Sequence, residues 1–132
     1  MNIVLWILQV LLAIVFGLHG WLLVSPPDAE MLRLMNEQMG SNFRIFLGIA
    51  ELLAVAGLLL PGITRILPWL TTVTAACLMI VMSSATVLHL YRGEISSAII
   101  TAVIFVLVTW LAYMRWKVKP LPARSAISRS AI

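Results

Sequence analysis

Four long apolar runs separated by short polar links set the pattern of this 132-residue chain. They extend from Ile3 to Val24, Phe43 to Leu60, Pro68 to Leu90 and Ile95 to Tyr113. A bilayer core of ~30 Å takes about 20 apolar residues of helix, so each run predicts a membrane span. The second and fourth are slightly short and predict little tilt. Pro61-Gly62 predicts the end of the second span. Pro68 predicts the start of the third, where proline removes no helical hydrogen bond. Tyr91-Arg92-Gly93-Glu94 predicts a tight turn. The fold expected is all-α, an integral-membrane four-helix bundle of up-down-up-down topology. Close packing in lipid relies on small residues. Stripes of them occur at Gln9, Ala13, Gly17 and Gly20, at Thr71, Ala75 and Ala85, and at Ser97, Ala98, Thr101 and Ala102.

The longest link, Ser25 to Asn42, predicts a short amphipathic helix on the outer face. Pro26 and Pro27 break the first span, and Asp28 and Glu30 suit a helical first turn. Met31, Met35 and Met39 recur every fourth residue and make one face apolar. Gly40 predicts the stop. This helix either lies on the lipid headgroups, the favoured reading, or acts as a flexible Met-lined lid over the bundle mouth.

Composition agrees with a membrane chain. Hydrophobic residues make up 62%, against roughly 45–50% in globular proteins, and mean hydropathy is +1.07. The first run lacks a preceding Lys or Arg and a cleavage site, so it reads as a retained helix rather than a signal peptide. Residues 1–116 are expected to form one four-span domain and 117–132 a basic, disordered tail. Cys77 stands alone within an apolar run, which excludes an intramolecular disulfide and CxxC chemistry. The net charge of +4 is no nucleic-acid signature, because five of the nine bases, Arg115, Lys117, Lys119, Arg124 and Arg129, crowd the C-terminal tail. With Arg65 they set six bases against Arg33, Arg44 and Arg92 on the other side, which predicts both termini in the cytoplasm.

Candidate chemistry begins with Glu51, a carboxylate in the middle of the second run. Such a charge is expensive in hydrocarbon and should face the interior, paired, protonated or wet. Arg44, two helical turns earlier, shares its face, with Gly48 between them. At ~1.5 Å per residue, Glu51 lies ~12 Å and His19 ~7 Å below the outer end, and His89 lies near the surface. Thr86, Ser83 and Ser84 follow His89 inward. All belong to the outer half of the bundle, and the inner half reads as nearly free of ionisable groups. The pattern predicts a polar pocket open outward or sideways. Each residue also has a plainer reading: His89 as an interfacial histidine, His19 as a cap or cross-helix bond, Glu51 as a structural bridge fixing register. No metal site is expected, since His19, His89 and Glu51 are scattered over three helices.

These residues carry a family resemblance. FRIFLGIAELLAVAGLLLPGITRILPWL followed by LMIVMSSATVLHLYRGE resembles the DoxX-like family of small four-helix membrane proteins. The matching positions are Arg44, Gly48, Glu51, Gly57, Leu58, Pro61, His89, Gly93 and Glu94, within residues 43–94. His19-Gly20 stands where many relatives carry a lysine. The resemblance implies a protein of the bacterial inner membrane. Some members are associated with quinone-linked oxidoreductases, including a thiosulfate:quinone system, and others are accessory proteins.

The expected function is a membrane subunit that supports a quinone-linked oxidoreductase through a pocket around Glu51 and His89, with Arg44, His19, Thr86 and Ser83 as further pocket candidates. Met31, Met35 and Met39 are the lid candidates. No residue is assigned a catalytic role. No intrinsic cofactor is expected, and a bound quinone would be the ligand. The partners expected are the lipid bilayer and a larger membrane or peripheral oxidoreductase. The alternative is a non-catalytic accessory or assembly subunit, and the third reading is a small proton-coupled transporter.

Overall fold

In a computed structural model, which describes residues 2–124, the chain is all-helical, with no strand among those residues. The order is α1 (Asn2–Val24), α2 (Ala29–Met39), α3 (Ser41–Thr64), α4 (Trp69–Tyr91) and α5 (Ile95–Tyr113). α5 widens into a π-helical turn over Met114–Val118. α1, α3, α4 and the α5 segment Ile95–Val118 are each long and apolar enough to cross a membrane. The four form the ring α1–α3–α4–α5, in which α1 pairs closely with α3 and α4 with α5, and the α3–α4 seam is looser. Of the expected tail, Lys117 and Val118 belong to the π-helical turn, and the last half, residues 125–132, lies outside the described residues. Before them, Leu121 is buried, and the Arg124 amide donates to Arg65 O at 3.0 Å.

The burial pattern is that of a chain folded against lipid. Ile3, Ile7, Leu11, Ile14 and Leu18 of α1 face outward. Gln9, Ala13 and Gly20 face inward, as do Arg44, Gly48, Glu51, Ala54 and Gly57 of α3. Large apolar side chains also cover the perimeter, while the small and polar ones share the interior with a core of Leu5, Leu12, Phe16, Leu58, Val108 and Leu111.

α2 forms where the loop pattern predicts it. The Asp28 carboxylate caps it by accepting from the Met31 amide at 2.8 Å, and Gly40 closes it at φ +79°. Met31, Met35 and Met39 are half-buried toward the bundle, and Leu32 and Leu34 are exposed. Arg33 links Glu30 and Glu37 on the outer surface.

One boundary differs from expectation. α3 does not stop at Pro61-Gly62 but runs to Thr64. A proline inside a helix deprives the carbonyl four residues earlier of its donor. Here that carbonyl, Gly57 O, accepts from Thr71 Oγ1 of α4 at 3.2 Å, and the next, Leu58 O, accepts from Gln9 Nε2 of α1 at 2.7 Å. Within a bilayer such tertiary donors let a helix continue through proline. Thr71→Val should therefore destabilise the protein by about 1–2 kcal/mol. The loss should shrink in a Pro61→Ala background, where the alanine's backbone amide returns a donor to Gly57 O; SDS-unfolding of the purified protein measures both.

Candidate functional site

The site is organised by two glycines. A Cβ on Gly20 would lie 2.9 Å from Gly48 O, and one on Gly48 would lie 2.9 Å from Gly20 O. The backbones of α1 and α3 therefore touch here, and no other residue type allows it. One residue before Gly20 and three after Gly48, His19 and Glu51 meet across this contact. His19 Nδ1 lies 2.6 Å from Glu51 Oε2. An imidazole nitrogen and a carboxylate oxygen this close must hold a proton between them, since neither attracts the other without it. The shared proton and the ion-pair character it allows offset part of the cost of placing a carboxylate in hydrocarbon.

Glu51 is 1% exposed, and its second oxygen, Oε1, makes no hydrogen bond. The residue also lines a groove of about 270 Å³ between α3 and α4, with Leu53, Ala54, Thr74, Cys77 and Leu78 among the other walls. That groove lies along one of the looser seams of the ring, and Leu53 and Cys77 are exposed on the lipid-facing perimeter. Chemically, the site offers one unused carboxylate oxygen, a proton shared with an imidazole, and apolar walls.

The remaining candidates are placed elsewhere. Arg44 does share the buried stripe of α3 with Glu51, but its guanidinium turns outward. It donates to Leu23 O at the end of α1 and to Asn36 Oδ1 of α2 at 2.9 Å. A cation at the carbonyl end of α1 is favourable there, and it fastens three helices at the mouth. Arg92 adds a bond to Gln38 O at 2.8 Å. The lid candidates Met31, Met35 and Met39 sit at this mouth, and none lines the α3–α4 groove. His89 does not join Glu51; its Nδ1 lies 2.5 Å from Glu94 Oε2 across the α4–α5 turn. Thr86 donates to Thr101 Oγ1 at 2.9 Å, tying α4 to α5. Ser83 and Ser84 bond back to Ile80 O at 2.9 and 2.8 Å. They line a separate shallow groove of about 540 Å³ with Val87, Leu88 and Tyr91. The single pocket expected around Glu51 and His89 is thus two acid–imidazole pairs, because the turn between α4 and α5 brings Glu94 within reach of His89 first. Among the described residues no three His, Cys, Asp or Glu side chains gather as a metal site would require.

A second polar centre escaped the sequence reading. The inner half is not free of charge: Arg115, read as a juxtamembrane base, is 3% exposed. Its Nε donates to Gln9 Oε1 at 2.6 Å, and Nη1 donates to Asn2 Oδ1 at 2.7 Å and to Lys119 O at 3.2 Å. The guanidinium carbon lies 5.8 Å from the Trp6 ring centroid. The available signal was Gln9, a polar side chain in an apolar run that needed a partner on another helix.

No curated protein and no solved structure matches the chain. The model of the DoxX-like family matches residues 7–112, from the first turns of α1 to the end of α5. It covers both glycines, the His19–Glu51 pair, the proline-containing α3 and the His89–Glu94 turn. This small multi-pass membrane protein belongs to the DoxX-like family.

Proposed function

We propose that the protein is the membrane subunit of a quinone-linked oxidoreductase and that Glu51 holds the head group of a quinone in its reduced, quinol form in the α3–α4 groove. The observation that carries this reading is the unpartnered Oε1 of a buried carboxylate lining an apolar groove. A lipid-soluble ring with a hydroxyl fits such a site, because the ring takes the apolar walls and, once the side chains enclosing Oε1 shift, the hydroxyl donates to it. A quinone supplies two-electron chemistry that consumes protons on reduction and releases them on oxidation. Glu51 orients the head group, and the proton it shares with His19 is placed beside the oxygen that gains or loses one. Electrons come from a partner, either a larger membrane enzyme or a peripheral oxidoreductase. The setting is the inner membrane of a bacterium with both termini in the cytoplasm, a placement supported by Arg65, Lys117, Lys119 and Arg124 at the same end of the bundle.

Native mass spectrometry of the protein extracted with its own lipids tests the ligand. The wild type should retain a quinone-sized adduct, and Glu51→Gln, which keeps the shape and removes the proton partner, should lose most of it. An adduct of equal abundance in both would overturn the assignment.

One observation favours a second reading. The His19–Glu51 pair sits at the Gly20–Gly48 crossing, where it also fixes the register of α1 against α3. An accessory or assembly subunit needs that and nothing more. Deleting the protein would then lower the abundance of a partner complex while leaving the turnover of each surviving complex intact.

A further inference from the structure

Among the described residues, Arg115 is a buried cation without a counter-charge. Its hydrogen-bond partners, Gln9, Asn2 and the Lys119 carbonyl, are all neutral, and Nη2 has no partner. The acidic residues are far away. Asp28, Glu30 and Glu37 belong to α2 and its cap, Glu94 to the α4–α5 turn at the same outer end, and Glu51 is held by His19. Burying a charge on these terms is costly unless something supplies the opposite sign. At this end of the bundle the described protein adds only more positive charge. Arg65 and Arg124 are joined through their backbones at 3.0 Å, and Lys117 and Lys119 follow Arg115 in sequence.

Trp6 connects this charge to an apolar surface. Its ring lies beside the Arg115 guanidinium and over Gly62, where any Cβ would collide with it, next to Leu121. The same Trp6 lines a groove of about 440 Å³ along the outer face of α1, with Ile3, Ile7, Val10 and Leu11. A cationic end and an apolar trough that share one interfacial tryptophan match a molecule with an anionic head and a hydrocarbon chain.

We propose that this corner is a binding site for an anionic phospholipid. The phosphate supplies the counter-charge to Arg115, with Arg65 and Arg124 at its margin, and an acyl chain runs along the α1 groove. Nη2 is enclosed, so the lipid seats with a rotamer adjustment of the surrounding side chains. The site lies at the opposite end of the bundle from the His19–Glu51 pair and stands independently of the function proposed for that pair.

The test is lipid retention by native mass spectrometry after reconstitution into phosphatidylcholine nanodiscs containing phosphatidylglycerol. The wild type should retain phosphatidylglycerol over phosphatidylcholine by roughly fivefold or more, the scale expected for one basic side chain near a membrane surface. Arg115→Gln should abolish the preference. Should that variant fail to fold, Val10→Phe, which fills the trough from an exposed position, should lower retention of both lipids and leave the fold intact. Equal retention of the two lipids by the wild type, or a preference unchanged in Arg115→Gln, overturns the proposal. Inorganic phosphate that displaces phosphatidylglycerol without any effect of Val10→Phe identifies a free-anion site instead and likewise overturns it.

Discussion

Gln9→Leu should lower the stability of the bundle by about 3 kcal/mol, the sum of one hydrogen bond to a charged group and one neutral bond. The substitution nearly conserves volume, so the loss reports polarity rather than packing. Gln9 is fully buried and does two things at once. Its Nε2 donates to Leu58 O in the proline-weakened turn of α3, and its Oε1 accepts from Arg115 Nε. Leucine leaves the guanidinium with one fewer acceptor in a site where no described residue supplies a carboxylate. Gln9→Leu/Arg115→Leu should be closer to wild type than the sum of the single changes, because the contact between the two side chains is then removed from both ends and neither is left facing an apolar partner. Unfolding of the purified protein in SDS, followed by circular dichroism, measures all three. Equal stability of Gln9→Leu and the wild type would show that this inner polar centre is not part of the folded core.

Gly48→Val should be nearly as damaging, at about 2–3 kcal/mol. The new Cβ alone would lie 2.9 Å from Gly20 O and 2.8 Å from the Val24 side chain. The carbonyl belongs to a helix backbone and cannot rotate away, so α1 and α3 must separate. Separation also parts His19 from Glu51, so the variant should lose both stability and ligand. Gly17→Ala provides the contrast on the same helix pair. Its Cβ would meet only the Val55 side chain at 3.5 Å, an ordinary contact. Replacing glycine there should be neutral or stabilising by about 0.5–1 kcal/mol. Parallel thermal unfolding in detergent separates the two positions. Similar behaviour of Gly17→Ala and Gly48→Val would refute close backbone approach at Gly48.

Much of this architecture was legible from hydropathy alone, because each span must satisfy its own backbone and so shows up as an uninterrupted apolar run. The shared face of Arg44, Gly48 and Glu51 followed from helical spacing, and the helix between the first two spans followed from its methionine period, its acidic start and the Gly40 stop. What spacing cannot give is which face of one helix meets which face of another. The sequence centred the expected pocket on Glu51 and His89, with His19 a further candidate; the Gly20–Gly48 contact selects His19 instead, and the α4–α5 turn gives His89 to Glu94. Pro61 misled for a related reason, since the donors that carry α3 past it come from Gln9 and Thr71, 52 residues upstream and ten downstream in sequence. Arg115 misled because a base just beyond a span ordinarily reaches water, and the π-helical turn over Met114–Val118 directs it inward.

The most direct test of a Glu51-centred site is photolabelling with an azido-quinone in reconstituted bilayers, under reducing conditions that keep the probe and its competitor as quinols, followed by peptide mapping. The wild type should be labelled on the walls of the α3–α4 groove, at or near Leu53, Thr74 and Cys77. Decylubiquinone should compete for the label, and Glu51→Gln should lose it. Labelling spread evenly over the lipid-facing surface, or labelling of the groove that persists in Glu51→Gln, would contradict the account and leave the His19–Glu51 pair with a structural role.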